Sequence, residues 1–213
     1  MRPVPLTTLA QSILAEHLRA GDLAIDATSG NGHDTEFLAK CVGPGGCVWA
    51  FDIQQQAITA TEHRLTQLRL THRQEFEGGI GEVKLIQRSH AEMAEVFPQE
   101  VVGQVSAVMF NLGYLPGGDK AVTTVAAETL AALAISLDVL APQGLMTVML
   151  YPGHPAGEIE TRAVLEWSET LGDPWRAEVM RSPESRATSP VLLVVRGINP
   201  RPVFRERVAR SAR

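Results

Sequence analysis

Five short apolar runs recur along this chain, and each is followed by a stretch whose apolar residues return at helical spacing. The runs are "LAIDAT" (23–28), "CVWAFDI" (47–53), "VKLIQRS" (83–89), "VSAVMFN" (105–111) and "GLMTVMLY" (144–151). Helical stretches follow over 33–42, 55–70, 91–97, 121–142 and 156–171, and another precedes them over 6–19. Strand and helix in such alternation predict a parallel sheet covered by helices. The longest helical stretch carries apolar residues at 122, 125, 126, 130, 133, 137 and 140, one stripe to lay against a sheet. Two further runs close the chain, "WRAEVMRS" (175–182) and "PVLLVVRG" (190–197), with only seven residues between them. That gap is too short for a helical crossover, so the pair is expected as an antiparallel hairpin. The prediction is an α/β, doubly wound, mostly parallel seven-stranded sheet in one domain over residues 1–198, followed by a basic tail over 199–213.

Composition narrows the class. Hydrophobic residues make up 45% and charged residues 20% of the 213, the balance of a globular protein. No apolar run approaches the roughly 20 residues that span a bilayer, so no membrane partner is expected. Glu16 and His17 interrupt the N-terminal apolar residues, against a signal peptide. Cys41 and Cys47 flank a "VGPGG" turn and read as free thiols of a reducing cytoplasm; two lone cysteines make no metal site. The net charge of −5 is uneven, because "RPVFRERVARSAR" at the end sets five arginines against one glutamate. That tail suits either a solvated disordered segment or a local nucleic-acid contact on an otherwise acidic body.

The turn "DATSGNGHDT" (26–35) carries the first chemical signal. A dinucleotide fingerprint needs a third glycine where this chain has Thr35, and a phosphate loop needs a Lys-Ser/Thr pair that is missing. An NAD-dependent oxidoreductase therefore ranks last. Asp26-x-Thr28-x-Gly30-x-Gly32 instead resembles the D/E-x-G-x-G-x-G of class I S-adenosylmethionine (SAM) methyltransferases. SAM carries an ammonium and a sulfonium rather than a phosphate, and Asp26 or Asp34 can complement these. Gly30 and Gly32 let the backbone pass close beneath a ligand. Asp52 ends the second run twenty-two residues after Gly30. It can accept both ribose hydroxyls or cap the following helix. Gln54 follows within reach of the adenosine. Ser89 and His90 end the third run, where a polar pair can flank adenine, and His90 reads equally well as a satisfied surface histidine.

The fourth run leads into "FNLGYLPGGDK" (110–120), at the sheet edge where a transferred methyl would lie. Asn111 and Tyr114 resemble the ends of the N/D-P-P-Y/F motif of amino-group methyltransferases, whose amide oxygen holds the target nitrogen and whose ring covers it. "PGGDK" reads as a turn before a helix capped by Asp119. The fifth run ends in "YPGHPAGE", where Tyr151 and His154 can take a proton from an incoming ammonium; otherwise Tyr151 caps the core and His154 is solvated.

Together "DATSGNGHDTEFLA", "FDIQQQA", "FNLGYLPGGDK" and "YPGH" closely resemble the bacterial family labelled putative rRNA methylases, over residues 6 to about 197. At least some members of that family methylate the aminomethyl group of 5-aminomethyl-2-thiouridine at the tRNA wobble position. The resemblance implies a Rossmann-like class I fold, SAM as cofactor and a tRNA anticodon stem-loop as partner. It implies that Asn31, His33, Asp52, Gln54, Ser89 and His90 line SAM, with Asn111, Tyr114, Tyr151 and His154 near the substrate. Arg162, Arg181, Arg186 and the tail would contact phosphates. The alternatives are a methyltransferase of rRNA or of a small amine, and a non-catalytic SAM- or RNA-binding module. Whether the chain forms a homodimer is left open.

Overall fold

The computed structural model describes residues 4–71, 79–119 and 122–198. The elements run α1 (Leu6–His17), β1 (Leu23–Asp26), α2 (His33–Val42), β2 (Cys47–Asp52), α3 (Gln55–Thr71) and β3 (Glu82–Gln87). A 3-10 turn (His90–Glu92) leads into α4 (Met93–Val96) and, after a second such turn (Gln99–Val101), into β4 (Val105–Asn111). Then follow α5 (Ala126–Val139), β5 (Leu140–Leu150), α6 (Pro155–Glu169), β6 (Trp175–Met180) and β7 (Val191–Gly197). One sheet joins the seven strands in the order β3-β2-β1-β4-β5-β7-β6. The first five run parallel, and β7 is antiparallel to both β5 and β6. This is the doubly wound layout with an antiparallel C-terminal pair that the apolar runs predict.

The central strands are apolar at nearly every position because helices cover both faces of the sheet. Their alternate residues feed two separate cores. Ile25, Phe51, Val108, Phe110 and Val148 pack with Leu133 of α5 and Val164 of α6. Ala24, Val48, Ala107, Met109 and Met149 pack with Leu14 of α1 and Leu38 of α2 on the other face. The edge strands β3 and β6 are largely exposed and correspondingly mixed in sequence. Cys41 and Cys47 are unbridged, and burial pushes both thiols above their ordinary range.

Two expectations are corrected by the structure. The helix expected over 121–142 spans only Ala126–Val139, and β5 begins at once with Leu140. At its start Thr124 is drawn away into a pairing with Gly113, so Val125 rather than Asp119 occupies the cap position. At its end Pro142 and Gly144 lie in the extended strand, a role their poor helix propensity already suits. The centre of its buried face holds Thr129, Ala132, Leu133 and Ser136, so the face is rotated from the purely apolar stripe. Its polar members are tolerated because each hydroxyl has an acceptor, Glu160 Oε1 for Thr129 and the Ala132 carbonyl for Ser136.

Strand order reverses between β1 and β4, which opens a crevice beyond their carboxyl ends. The loops after all five parallel strands emerge at this edge and bring the residues singled out in the sequence to one place. Among the described residues no helix is long and apolar enough to cross a membrane. The basic tail lies outside the described residues.

Candidate active site

The loop after β1 is held from below by side chains. Asp26 Oδ1 accepts the Thr28 N–H at 3.1 Å and its Oδ2 accepts the Thr35 hydroxyl at 2.6 Å. Asp52, at the end of β2, accepts the Gly30 N–H at 3.0 Å on one oxygen and the Gln54 N–H at 2.9 Å on the other. It thus closes its own turn and ties it to the glycine loop; the Gln54 carbonyl, not Asp52, takes the first N–H bonds of α3. From α3, Thr61 donates its hydroxyl to the Gly30 carbonyl at 3.1 Å, and Arg64 donates Nε to the Asn31 carbonyl at 2.8 Å. Arg64 also pairs with Glu36 and lies 3.0 Å from His33 Nε2. The glycines carry the loop through the left-handed region, Gly30 at φ +51° and Gly32 at φ +78°.

Above this loop lies a cleft of about 810 Å3, the size of a small-molecule site. A second, more open depression between α2 and α3 meets it at Asn31 and His33 but gathers no groups from the other strand ends. On the acceptor side of the cleft, Thr28 Oγ1 accepts the Asn111 N–H at 2.7 Å, tying the glycine loop to the end of β4. Asn111 Oδ1 accepts the Tyr151 hydroxyl at 2.8 Å, and Asn111 Nδ2 donates to Asp34 at 3.2 Å. The loop that follows is closed on itself. Gly113 donates its N–H to Thr124 Oγ1 at 2.9 Å, and Thr124 returns its own N–H to the Gly113 carbonyl at 3.0 Å. Thr124 then donates its hydroxyl to Glu160 at 2.8 Å, a carboxylate of α6 that is only 3% exposed.

The titratable groups are set largely by burial. Desolvation, with the nearby Asp34 carboxylate second, pushes Asp26 up to about 7. Burial holds the Tyr151 phenol above its ordinary range, with Asp34 adding to it, and holds His90 below its own. At neutral pH Tyr151 and His90 are therefore uncharged. His90 turns Nδ1 toward the Ala27 carbonyl at 3.2 Å and is buried, not on the surface; its Nε2 has no protein partner.

Of the residues singled out in the sequence, Gly30, Asn31, His33, Asp34, Asp52, Gln54, Ser89 and His90 line the cleft together with Asn111, Tyr114, Tyr151 and His154. Asp26 and Gly32 shape the loop from beneath. His154 is half-buried rather than solvated and caps α6, its Nδ1 accepting the Gly157 N–H at 3.1 Å. Ser89 caps the 3-10 turn and donates its hydroxyl to Glu128. Sequence reasoning missed Gln11, Thr61, Arg64, Thr124 and Glu160. Thr61 and Arg64 sit one helical turn apart, a signal that becomes readable only once α3 is docked on the loop.

Two expectations follow for stability. A Cβ on Gly32 would lie 2.8 Å from Thr61 Cα, whereas one on Gly30 meets nothing closer than 3.6 Å. Gly32→Ala is expected to cost about 2–4 kcal/mol in urea unfolding, and Gly30→Ala about 1 kcal/mol. Unfolded aspartate loses its proton near 3.9, while Asp26 in the fold keeps it up to about 7. Between those values the folded state binds the extra proton, so stability falls as pH rises, by on the order of 4 kcal/mol in all. Asp26→Asn should flatten that slope when unfolding is measured from pH 4 to 8; an unchanged slope would assign it to another group.

Comparison with known proteins agrees with this architecture. Residues 48–196 match the model of the family described as "Putative rRNA methylase". A curated relative from Arabidopsis thaliana, "tRNA (mnm(5)s(2)U34)-methyltransferase, chloroplastic", is 39% identical over 163 residues, 74% of this chain and 57% of its own length. The chain thus spans little more than half of that relative. A crystal structure described as a "putative rRNA-methylase" from Clostridium thermocellum has a TM-score of 0.82 at 33% identity, covering 93% of this chain and all of the other. A Streptococcus mutans "putative methyltransferase" in complex with SAH has a TM-score of 0.73 at 30% identity, covering 92% of this chain and 99% of the other. With the family model matched over most of its length, the chain belongs to the rRNA methylase family of class I methyltransferases.

Proposed function

We propose that the protein is a SAM-dependent N-methyltransferase whose acceptor is the aminomethyl group of 5-aminomethyl-(2-thio)uridine at the tRNA wobble position. The cleft suits the cofactor. Ser29 Oγ and His90 Nε2 are buried there without protein partners, and Asp52 keeps lone pairs for a ribose. Its charged lining is mainly acidic: Asp52 and Glu128, beside an Asp34 whose oxygens are both taken by protein donors, face Arg88, which is already paired with Glu92 and Glu95. That balance favours a cationic ligand.

One observation carries the amine reading: the Asn111 carboxamide is anchored beside the glycine loop, with its oxygen turned to the Tyr151 hydroxyl. When bound, SAM supplies a methyl on a sulfonium whose sulfur takes the C–S electron pair as the new N–C bond forms. Asn111 Oδ1 accepts an N–H of the incoming amine and aims its lone pair along the S–CH3 axis. Tyr151, protonated at neutral pH, orients and does not abstract. An aliphatic ammonium, with an ordinary pKa near 10, sheds its proton to water at the mouth of the cleft, so turnover rises with pH from about 6 to 8. Tyr114, 39% exposed at that mouth, offers a face for an unstacked base. The loop between β6 and β7 brings Thr188 to the cleft and carries exposed Arg186, a phosphate contact alongside exposed Arg162 and Arg181. The curated relative named for mnm5s2U34 of tRNA supports this acceptor.

The test uses methyl-labelled SAM with two RNA pools, tRNA carrying unmethylated 5-aminomethyluridine derivatives and total rRNA, each digested to nucleosides. Label is expected as methylaminomethyl uridine from the tRNA pool alone. Label only in rRNA would replace the acceptor, and label in neither would move the search to small amines. Asn111→Ala should cut turnover about 100-fold with SAM affinity kept. Affinity for the anticodon stem-loop should fall steeply with salt.

A further inference from the structure

Asp34, in the first turn of α2, lines the cleft yet gives both carboxylate oxygens to protein partners. Oδ1 accepts Gln11 Nε2 of α1 at 2.8 Å, and Oδ2 accepts Asn111 Nδ2 at 3.2 Å. With the Tyr151 hydroxyl on Asn111 Oδ1 at 2.8 Å, four side chains from α1, α2, β4 and the end of β5 form one hydrogen-bonded line into the cleft. A carboxylate only accepts, so the half of the Asn111 carboxamide facing Asp34 has to be the NH2. Its oxygen is then turned to Tyr151 and the cleft. Tyr151 alone cannot impose that choice, because a phenol hydroxyl donates and accepts alike.

We propose that Asp34, held by Gln11, is a positioning residue for methyl transfer: it locks the Asn111 carboxamide with its oxygen toward the acceptor amine. This rests on Asn111 being the amine contact. A flipped carboxamide would point its own N–H groups at the N–H groups of the amine, leaving the nucleophile without an acceptor and off the transfer axis. The role differs from that of a cofactor ligand, since Asp34 then acts on the acceptor and not on SAM binding. Gln11 lies outside the cleft lining and acts only through Asp34.

The test compares Asp34→Asn, Gln11→Ala and the reciprocal swap Asp34→Asn/Asn111→Asp in the full chain. It reads kcat, KM for the RNA and SAM affinity by calorimetry. Asp34→Asn is expected to cut kcat about 10- to 100-fold with SAM affinity within about threefold of wild type. Gln11→Ala should cut kcat by a smaller factor of about three to ten, again without weakening SAM. The swap restores donor facing acceptor and turns a carboxylate oxygen to the amine, so it should recover most of the lost kcat. Loss of SAM affinity in step with kcat would make Asp34 a cofactor ligand and overturn the proposal, as would an unchanged kcat or a swap no better than Asp34→Asn alone. A second readout needs no RNA. The Asn111 side-chain NH2 of the wild-type protein should exchange slowly with water by NMR, and Asp34→Asn should abolish that protection. Protection without methyl transfer to tRNA would retire the acceptor and leave the lock standing; a fast-exchanging Asn111 NH2 in wild type would retire the lock.

Discussion

Where a parallel sheet ends, the backbone groups beyond its last ladder bonds must be paired by something other than a strand. The whole site is the answer to that demand at the carboxyl ends of β1, β2 and β4. Asp26 and Asp52 take the N–H groups of Thr28 and Gly30, while Thr61 and Arg64 supply donors to the carbonyls of Gly30 and Asn31. Asp26, Thr61 and Arg64 stay out of the cleft lining. A ligand in the cleft thus meets a backbone already fixed and spends little of its binding energy on ordering it.

The same stitching concentrates acid. Asp26, Asp34 and Asp52 stand close enough that the latter two raise the pKa of the first. Burial first, and this crowding second, make Asp26 keep its proton to about pH 7. SAM, with its sulfonium and its ammonium, brings the opposite charge to that place. Beside these aspartates, Tyr151 is neutral as any phenol is at pH 7 and burial moves the loss of its proton to still higher pH, while burial holds His90 below its ordinary range.

The sheet was legible in the sequence because buried parallel strands are written as uninterrupted apolar runs, whereas the strand order that reverses at β1 is written in no single run. The spacing of Asp52 from Gly30 marked it for the cleft, which it lines while accepting the Gly30 N–H. The boundaries of α5 were not legible, since Val122 and Val125 continue a helical spacing while Thr124 is held in extended backbone by Gly113 and Glu160. His154 followed by Pro155 and, three residues on, Gly157 is a readable helix start, yet the proton-transfer reading competed with it. Gln11 to Asp34 and Thr28 to Asn111 span 23 and 83 residues, and no local pattern announces a hydrogen bond over such distances.

Thr28 shows how a departure from a motif can be informative. It stands where related loops place their first glycine, but the chain there does not need a glycine's freedom: among the described residues only glycines have positive φ. A side chain is therefore tolerated, and its hydroxyl accepts the Asn111 N–H at 2.7 Å. One oxygen thus joins the glycine loop to Asn111, the residue we propose as the contact of the acceptor. Methyl transfer is an in-line displacement, in which an error of about 1 Å can cost about 100-fold in rate. A glycine at position 28 would leave the two loops to find their spacing through the sheet alone; the threonine sets it by direct contact.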